Sequence, residues 1–506
     1  MTTSAQAHKP FTIAVLSDMH FGDPPTIAAR RGEFGAELLR RAVERFNRFI
    51  QPDLVLVLGD LLDDPEAERA EADLKEMRAI LDPLACPSVV IPGNHDPAAE
   101  RFYEVIERPG EMMDFGGRVR VLPFVDPEAP GYHAQRVDAD LARLRAARRD
   151  GFDGFVIAAQ HVPVRPRGAE LKHTFTNLDA VLEAVHAGGV DLCVAGHSHQ
   201  ACESVHERRC GFFAVGALCE APHAYALITL DDENTPTVRK ENLAMDADLG
   251  LVDHHSHTQF AYCAKTVHTQ RSPAFAEMMG LRGLALTEHS GQLYFNVYDF
   301  GSGKFCEHGI AKTNRDDWRI EDFLQTVERI QTPRLLRGLE VDADFQGEQV
   351  LLEAHRRQLQ VVVGAVHFLP ESIKPAAQRD AERFVEQFQF VTERLCRTGI
   401  HILAHPFRIF RRSDLPVPQR LYPWLADVLR ETGVASELNY HTNEPHEAFV
   451  RMCLDRGVKL SFGGDAHHLW EVGEFYPHLK LLERVGVAGR PGEVLIDLMG
   501  DAVAAG

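Results

Sequence analysis

The sequence predicts an α/β protein made of two successive domains. Three observations point there. Short β-rich runs alternate with amphipathic stretches. Most of those runs stop directly in a cluster of His, Asp, Asn or Glu. The pattern plays through once, halts in a polar connector and restarts, in a chain of 506 residues that exceeds what one hydrophobic core normally serves. Apolar residues make up 45% and charged residues 25%, as in folded globular proteins.

Composition narrows the function classes. No run of about 18 apolar residues suggests a membrane span. The opening "MTTSAQAHKPFTIAVLSD" has no long apolar stretch before a cleavage-like site, so no secretory leader is expected. Nine cysteines, odd in number and without a C-x-x-C pair, fit reduced thiols and a cytoplasmic location. The net charge of −20 argues against a broad basic surface for long nucleic acid. A small phosphate-bearing partner stays open, because bound cations can make one pocket locally positive.

In the first half, "FTIAVL", "LVLVL", "SVVI", "FVIAA" and "LCVA" are short enough for buried strands. They lead into "SDMH", "GDLLDD", "PGNHD", "QHVP" and "GHSH", and strands that release polar residues at one end are how α/β folds build a site. Helices are expected over 35–50 and 67–81. "ALITLDDENTPTVRKENLAMDADLG" reads as a last strand, a polar turn and a connector, which sets the domains at 1–246 and 247–506. In the second half "LALTEHS", "LLRGLEVDA", "VVVGAVHF", "IHILAHP", "ASELNY" and "VKLSFGGDAH" again end in His, Asp or Glu. A barrel of parallel strands with its chemistry at their carboxyl ends is the natural reading.

The first set of polar residues is Asp18, His20, Asp60, Asn94, His95, His161, His197 and His199. Two metal ions a few ångströms apart need such an inventory, with one carboxylate bridging and imidazoles and an amide oxygen filling the other positions. Asp60 is the best-placed bridge, since it follows a β-rich run through a glycine that lets the chain turn. Each fragment alone could be an ordinary loop; five in order are hard to assign that way.

D-x-H, G-D, G-N-H-D, H and G-H-x-H together resemble the calcineurin-like metallophosphoesterases over about residues 10–240. The resemblance implies a four-layer α/β/β/α sandwich with two metal ions (Mn, Fe or Zn). Asp18, His20 and His199 would hold one ion, Asn94, His161 and His197 the other, with Asp60 between them. His95 would steady the transition state or protonate the leaving oxygen, with Asp96 orienting its ring. The metals would lower the pKa of bound water. Arg165 and Arg167 are weighed as phosphate contacts, a solvated loop being the simpler account.

The first set is complete without "DHHSHT" at 253–258, so those histidines need partners of their own. His255 and His257 project to one side of an extended segment, and Asp465 and His467 repeat that spacing. With "LTEHS", "GLEVDA", "GAVHF", "LAHP" and "GGDAH", this half resembles the PHP domain, named for its polymerase and histidinol phosphatase members. The resemblance implies a distorted (β/α)7 barrel holding two to three ions (Zn, Mn or Fe). His255, His257, Glu340 and Asp465 would surround one ion. Glu340 would bridge to a second held by His367 and His405, and a third would sit near His289 and His467. Cys263 stands where the family's phosphatases usually carry histidine; a thiolate binds zinc, or the cysteine is simply buried. Glu288 likewise replaces a usual aspartate. Glu437 borders the pocket or supports it.

Arg408, Arg411 and Arg412 follow His405 and are candidates for gripping phosphate; an exposed helix start explains them equally. "GSGK" at 301–304 lacks phosphate-loop spacing and is expected to be a plain loop. The whole suggests a bifunctional hydrolase whose first half cleaves a small phosphodiester, nucleotide-derived among the candidates, and whose second half removes phosphate from the product. The competing expectation is that one half, the PHP half foremost, has become a metal-stabilised structural or partner-binding module.

Overall fold

The computed structural model describes residues 9–166, 172–200, 204–487 and 489–500. It divides into two compact units, 1–244 and 245–506.

The strands of the first unit are β1 (Phe11–Leu16), β2 (Leu54–Val57), β3 (Ser88–Val90), β4 (Met113–Phe115), β5 (Val119–Pro123), β6 (Glu128–Ala129) and β7 (His133–Ala134). They continue with β8 (Phe155–Ala159), β9 (Leu192–Ala195), β10 (Val205–Glu207), β11 (Cys210–Ala214), β12 (Ala224–Leu230) and β13 (Pro236–Asn242). Two sheets form, in the orders β13-β12-β1-β2-β3 and β10-β11-β9-β8-β5-β4, with β6 and β7 as a separate two-stranded ribbon.

Period-two alternation decides what each face covers. Ile13, Val15, Leu54 and Leu56 from one sheet share a core with Val121, Ile157, Leu192 and Val194 from the other. The intervening Ala14, Leu16, Val55 and Val57 point the opposite way and are also fully buried. Their cover is the outer layer, where helices Gly35–Arg45 and Ala70–Leu81 bury Leu38, Leu39, Ala42, Leu74, Met77 and Ile80 at helical spacing. Across the other sheet, Leu122, Val156 and Ala158 pack with Leu141 and Leu144 of helix Asp138–Arg145 and Val181 and Val185 of helix Leu178–Gly188. The result is the four-layer sandwich. Burial on both faces explains why β2, β8 and β9 read as unbroken apolar runs.

The stretch expected as a connector after β12 is instead a strand. β13 pairs antiparallel with the whole of β12, from Ala224↔Asn242 to Leu230↔Pro236. As an edge strand with alternate residues exposed, it carries "PTVRKEN", whose polarity hides it from an apolar-run criterion.

In the second unit, β14 (Val252–Ser256), β15 (Gly283–His289), β16 (Leu335–Asp342), β17 (Val361–Ala365), β18 (Ile402–Leu403), β19 (Ala435–Asn439) and β20 (Leu460–Gly463) form one parallel sheet in sequence order. A parallel bridge between Ser256 and Ala466 brings the end of β20 back to β14, nearly closing a seven-stranded barrel. Helices intervene between successive strands, the longest being Ala381–Cys396 and Leu421–Thr432. "GSGK" is not a plain loop: it spans the end of helix Val297–Ser302, a left-handed Gly303 and the start of a short 3-10 turn. No helix among the described residues is long and apolar enough to cross a membrane.

Candidate metal centres

Both units bring their expected residues together at the carboxyl ends of parallel strands. Many of these residues sit in a backbone conformation that L-residues rarely adopt. Fourteen non-glycine residues have positive φ among the described ones, and half of them are Asp18, His20, Asp60, His197, His199, His405 and Asp465. Such strain persists only where surrounding structure enforces it, and it clusters at functional sites.

In the first unit each carboxylate divides its oxygens. Asp18 Oδ2 accepts the backbone N–H of His197 (2.9 Å), leaving Oδ1 3.5 Å from His199 Nε2 and 3.9 Å from His20 Nε2. Asp60 Oδ1 accepts the backbone N–H of His95 (2.8 Å), leaving Oδ2 3.5 Å from His20 Nε2 and 3.3 Å from His161 Nε2. His20 Nε2 and His199 Nε2 lie 3.1 Å apart. On the other side of Asp60, His161 Nε2 is 3.1 Å from both Asn94 Oδ1 and His197 Nδ1. Asp60 therefore stands between two groups of donors. Burial opposes its charge, yet His161 and His20 hold its carboxyl well below the usual range.

The histidine tautomers follow from what the outward nitrogen touches. His161 Nδ1 donates to the Leu58 carbonyl (2.7 Å), His199 Nδ1 to Glu220 Oε1 (2.7 Å) and His197 Nε2 to the Tyr132 carbonyl (3.2 Å). Each such bond leaves the other nitrogen's lone pair facing the centre. His95 Nδ1 bonds the Asp63 carbonyl (2.9 Å), while Asp63 Oδ1 approaches His20 Nδ1 (3.4 Å) and is paired with Arg30 (2.7 Å).

Asp96, expected to orient the His95 ring, does not. Its Oδ1 accepts the backbone N–H groups of Leu61 and Leu62, and its Oδ2 accepts that of Gly93, so it fastens the β2 and β3 loops together. The centre opens into a cleft of about 1250 Å³ whose wall includes Arg30, His95, Tyr132, Arg165, Lys172 and His173. Arg165 is half-buried there. Arg167 lies outside the described residues.

The second unit repeats the logic with Glu340 at its middle. Glu340 Oε1 faces His405 Nε2 (2.9 Å) and His367 Nε2 (3.2 Å). Its Oε2 faces His289 Nδ1 (2.5 Å), His255 Nε2 (3.5 Å) and His257 Nε2 (3.8 Å). Asp465 Oδ1 lies 2.9 Å from His257 Nε2 and 3.6 Å from His255 Nε2. Three further outward nitrogens are tied down: His255 Nδ1 to Glu437 Oε1, His367 Nδ1 to Asp342 Oδ1 and His467 Nδ1 to the Asp465 carbonyl, each at 2.7 Å. Burial disfavours a charged Glu340, but His367, His289 and His255 hold its carboxyl well below the usual range.

The neighbours of this centre sort clearly. Glu437 supports it: one oxygen holds His255 and the other accepts the backbone N–H of His405 (2.7 Å). Glu288 Oε1 accepts from the backbone and hydroxyl of Thr258 (2.6 and 2.5 Å), with Oε2 3.7 Å from His257 Nδ1. Cys263 is half-buried, and its Sγ accepts from Gln292 Nε2 (3.3 Å). Burial first, then the charges of Glu288, Asp465 and Glu340, push its thiol up to about 12.

Arg408 is not a free phosphate grip. It is buried and its Nη2 donates to Asp465 Oδ2, Asn439 Oδ1 (2.8 Å) and the His441 carbonyl (2.9 Å), so it orients a candidate ligand. Arg411 is exposed. Arg412 is also exposed over part of its side chain, while its guanidinium lies near enough to Glu340, Asp342 and Asp465 to feel their charges; partial desolvation and then Arg408 draw its pKa below the usual value.

Metal ions fit these donor sets. Asp18 Oδ1 and His255 Nε2 are buried without a hydrogen-bond partner, and both face the centres. A buried polar atom left so costs roughly 1–3 kcal/mol, which a cation at the centre would remove. Asp60, His161 and His197 converge closely enough for one ion, as do His255, His257 and Asp465, and His257, His289 and His467. Asp63 lies within "GDLLDD" but is not singled out there, and no motif points to Glu220. Asp342 carries a signal: it lies two residues beyond Glu340 in a strand, hence on the same face.

Fold and donor sets together define a metal-dependent phosphoric ester hydrolase. Residues 11–201 match the family model for calcineurin-like phosphoesterases and residues 253–441 that for the PHP domain, so the chain is a calcineurin-like metallophosphoesterase domain followed by a PHP domain. A relative named "probable phosphatase" from Acetivibrio thermocellus is 27% identical over 248 residues, covering 46% of this chain and 87% of its own length. A "probable cyclic nucleotide phosphodiesterase" from Synechococcus is 29% identical over 214 residues, 38% of this chain and 74% of its own. Among solved structures, a dimetal phosphatase from Danio rerio is 17% identical, covers 46% of this chain and 97% of its own, and has a TM-score of 0.41.

Proposed function

We propose that the chain is a bifunctional phosphoesterase: the first unit hydrolyses a phosphodiester, and the PHP unit removes phosphate from the monoester released. The observation that carries this reading is the repeated design. In each unit one buried carboxylate, Asp60 or Glu340, divides two groups of nitrogen donors, and hydrogen bonds fix the outward atoms of three histidines in each unit. Divalent ions held there would supply Lewis acidity toward a phosphate oxygen and an acidified water.

The chain's own groups supply the rest. His95, anchored through Nδ1, offers its other nitrogen to the cleft as the proton donor for the leaving oxygen. We assign phosphate oxygens to Arg165, in the wall of the first unit's cleft, and to Arg412, which feels the charges of the second centre. His289, His467 and Cys263 form a third PHP position, the thiol giving it a preference for zinc. The names of the relatives agree with both ester classes.

The test follows a simple phosphodiester with manganese, quenching aliquots with chelator before phosphorus NMR. Wild type is expected to reach free phosphate. Glu340→Ala should accumulate the monoester, and Asn94→Ala should leave the diester intact. Free phosphate at the wild-type rate from Glu340→Ala would remove the second step from the PHP unit.

A further inference from the structure

Beside the first centre lies a second pocket of about 410 Å³, and Asn94, His161 and Tyr132 belong to its wall. Asn94 and Tyr132 also line the metal cleft, so the two spaces adjoin at the second donor group. The remaining wall is largely apolar, with Pro92, Pro97, Ala98, Val125, Pro127 and Val162.

Tyr132 is common to the walls of both spaces. It sits in the tip between β6 and β7, is 57% exposed and holds a left-handed backbone (φ 60°). That tip is fixed. The Tyr132 carbonyl accepts from His197 Nε2, and the Gly131 carbonyl accepts from His173 Nδ1 (3.0 Å). At the base, Asp126 and Arg136 form a buried bidentate pair at 2.8 and 2.6 Å, with the guanidinium 3.9 Å from the Phe124 ring centroid. An aromatic ring is thus presented to solvent on a rigid support next to a metal ligand. The pair also neutralises Asp126, leaving Glu128 as the exposed carboxylate of the wall, its side chain making no hydrogen bond or ion pair among the described residues.

We infer that this pocket is the subsite for the nucleobase of a phosphodiester substrate: the base stacks on Tyr132 and donates an exocyclic N–H to Glu128. A stacking face suits any base, and an unpaired carboxylate favours an amino-bearing one while repelling a second phosphate. The inference rests on the phosphodiesterase reading and adds to it which part of the ester is recognised, and by what.

The experiment uses the metal-loaded full chain and two matched esters, adenosine 5′-phosphate methyl ester and glycerol 3-phosphate methyl ester. The variant is Tyr132→Asn, since asparagine tolerates the left-handed backbone. The ratio of KM for the adenosine ester to KM for the glycerol ester should rise about tenfold. Tyr132→Phe should behave as wild type, and Glu128→Gln should raise KM for the adenosine ester alone. Equal losses on both esters would show Tyr132 acting through His197 and overturn the inference; so would an unchanged KM. If wild type cleaves neither ester, the phosphodiesterase reading fails instead, and equilibrium dialysis of adenosine decides the pocket. Binding that Tyr132→Asn abolishes supports it, and no binding overturns it.

Discussion

A histidine holds a metal well only when its other nitrogen is occupied, and the outer partners here come from far along the chain. Glu437 steadies two candidate ligands at once, His255 through its ring and His405 through its backbone. Glu437→Gln is therefore expected to weaken metal binding in the PHP unit by about 10–100-fold, read by competition titration against a chelating dye. Unchanged affinity would reduce Glu437 to a packing residue. This scale also marks where sequence reading stopped. The candidate ligands announce themselves because each ends a strand in a compact motif. Their partners do so less: "ASELNY" brings Glu437 to the pocket, but no spacing rule links it to His255, 182 residues away, and Glu220, which holds His199, lies in no motif at all. The arginines after His405 show the opposite error, since adjacency suggested a phosphate grip for Arg408 while the fold turns it onto Asp465.

At the level of elements, the loops that leave strands do most of the positioning, and small residues allow them to. An added Cβ on Gly93 would press on Asp60 Oδ1 and lie 2.7 Å from His161 Cε1. Gly93→Ala should thus abolish activity of the first unit, by at least about 100-fold as for other misplacements near chemistry, while monoester hydrolysis by the PHP unit persists. Parallel assays on both ester classes check it. The ribbon of β6 and β7 depends on its buried pair, and Asp126→Ala, which strands the Arg136 charge, should cost about 3–5 kcal/mol; a chemical denaturation midpoint equal to wild type would refute this. Doubly buried strands were legible as apolar runs. The edge strand β13 and the two-residue ribbon were not, because exposure on one side removes the apolar signal.

For the whole chain, each unit has its own core and gathers ionised carboxylates around its centre, so the native form should bind cations that the unfolded chain cannot hold. Metal removal is expected to lower the melting temperature by on the order of 10 °C, taking about 4 kcal/mol of linkage and roughly 2–4 °C per kcal/mol for units of this size. Calorimetry with and without chelator checks it, and superimposable traces would count against resident metals. Both centres also join distant parts of the polypeptide: His20 meets His199, and His257 meets Asp465, separations of 179 and 208 residues. At about 5–20 residues per second of synthesis, the earlier imidazole of each pair waits roughly 10–40 s for its partner to be made. The ribosome thus releases two unfinished chelators in succession. The first can be loaded while translation continues downstream; the second has its full complement only once Asp465 has been made.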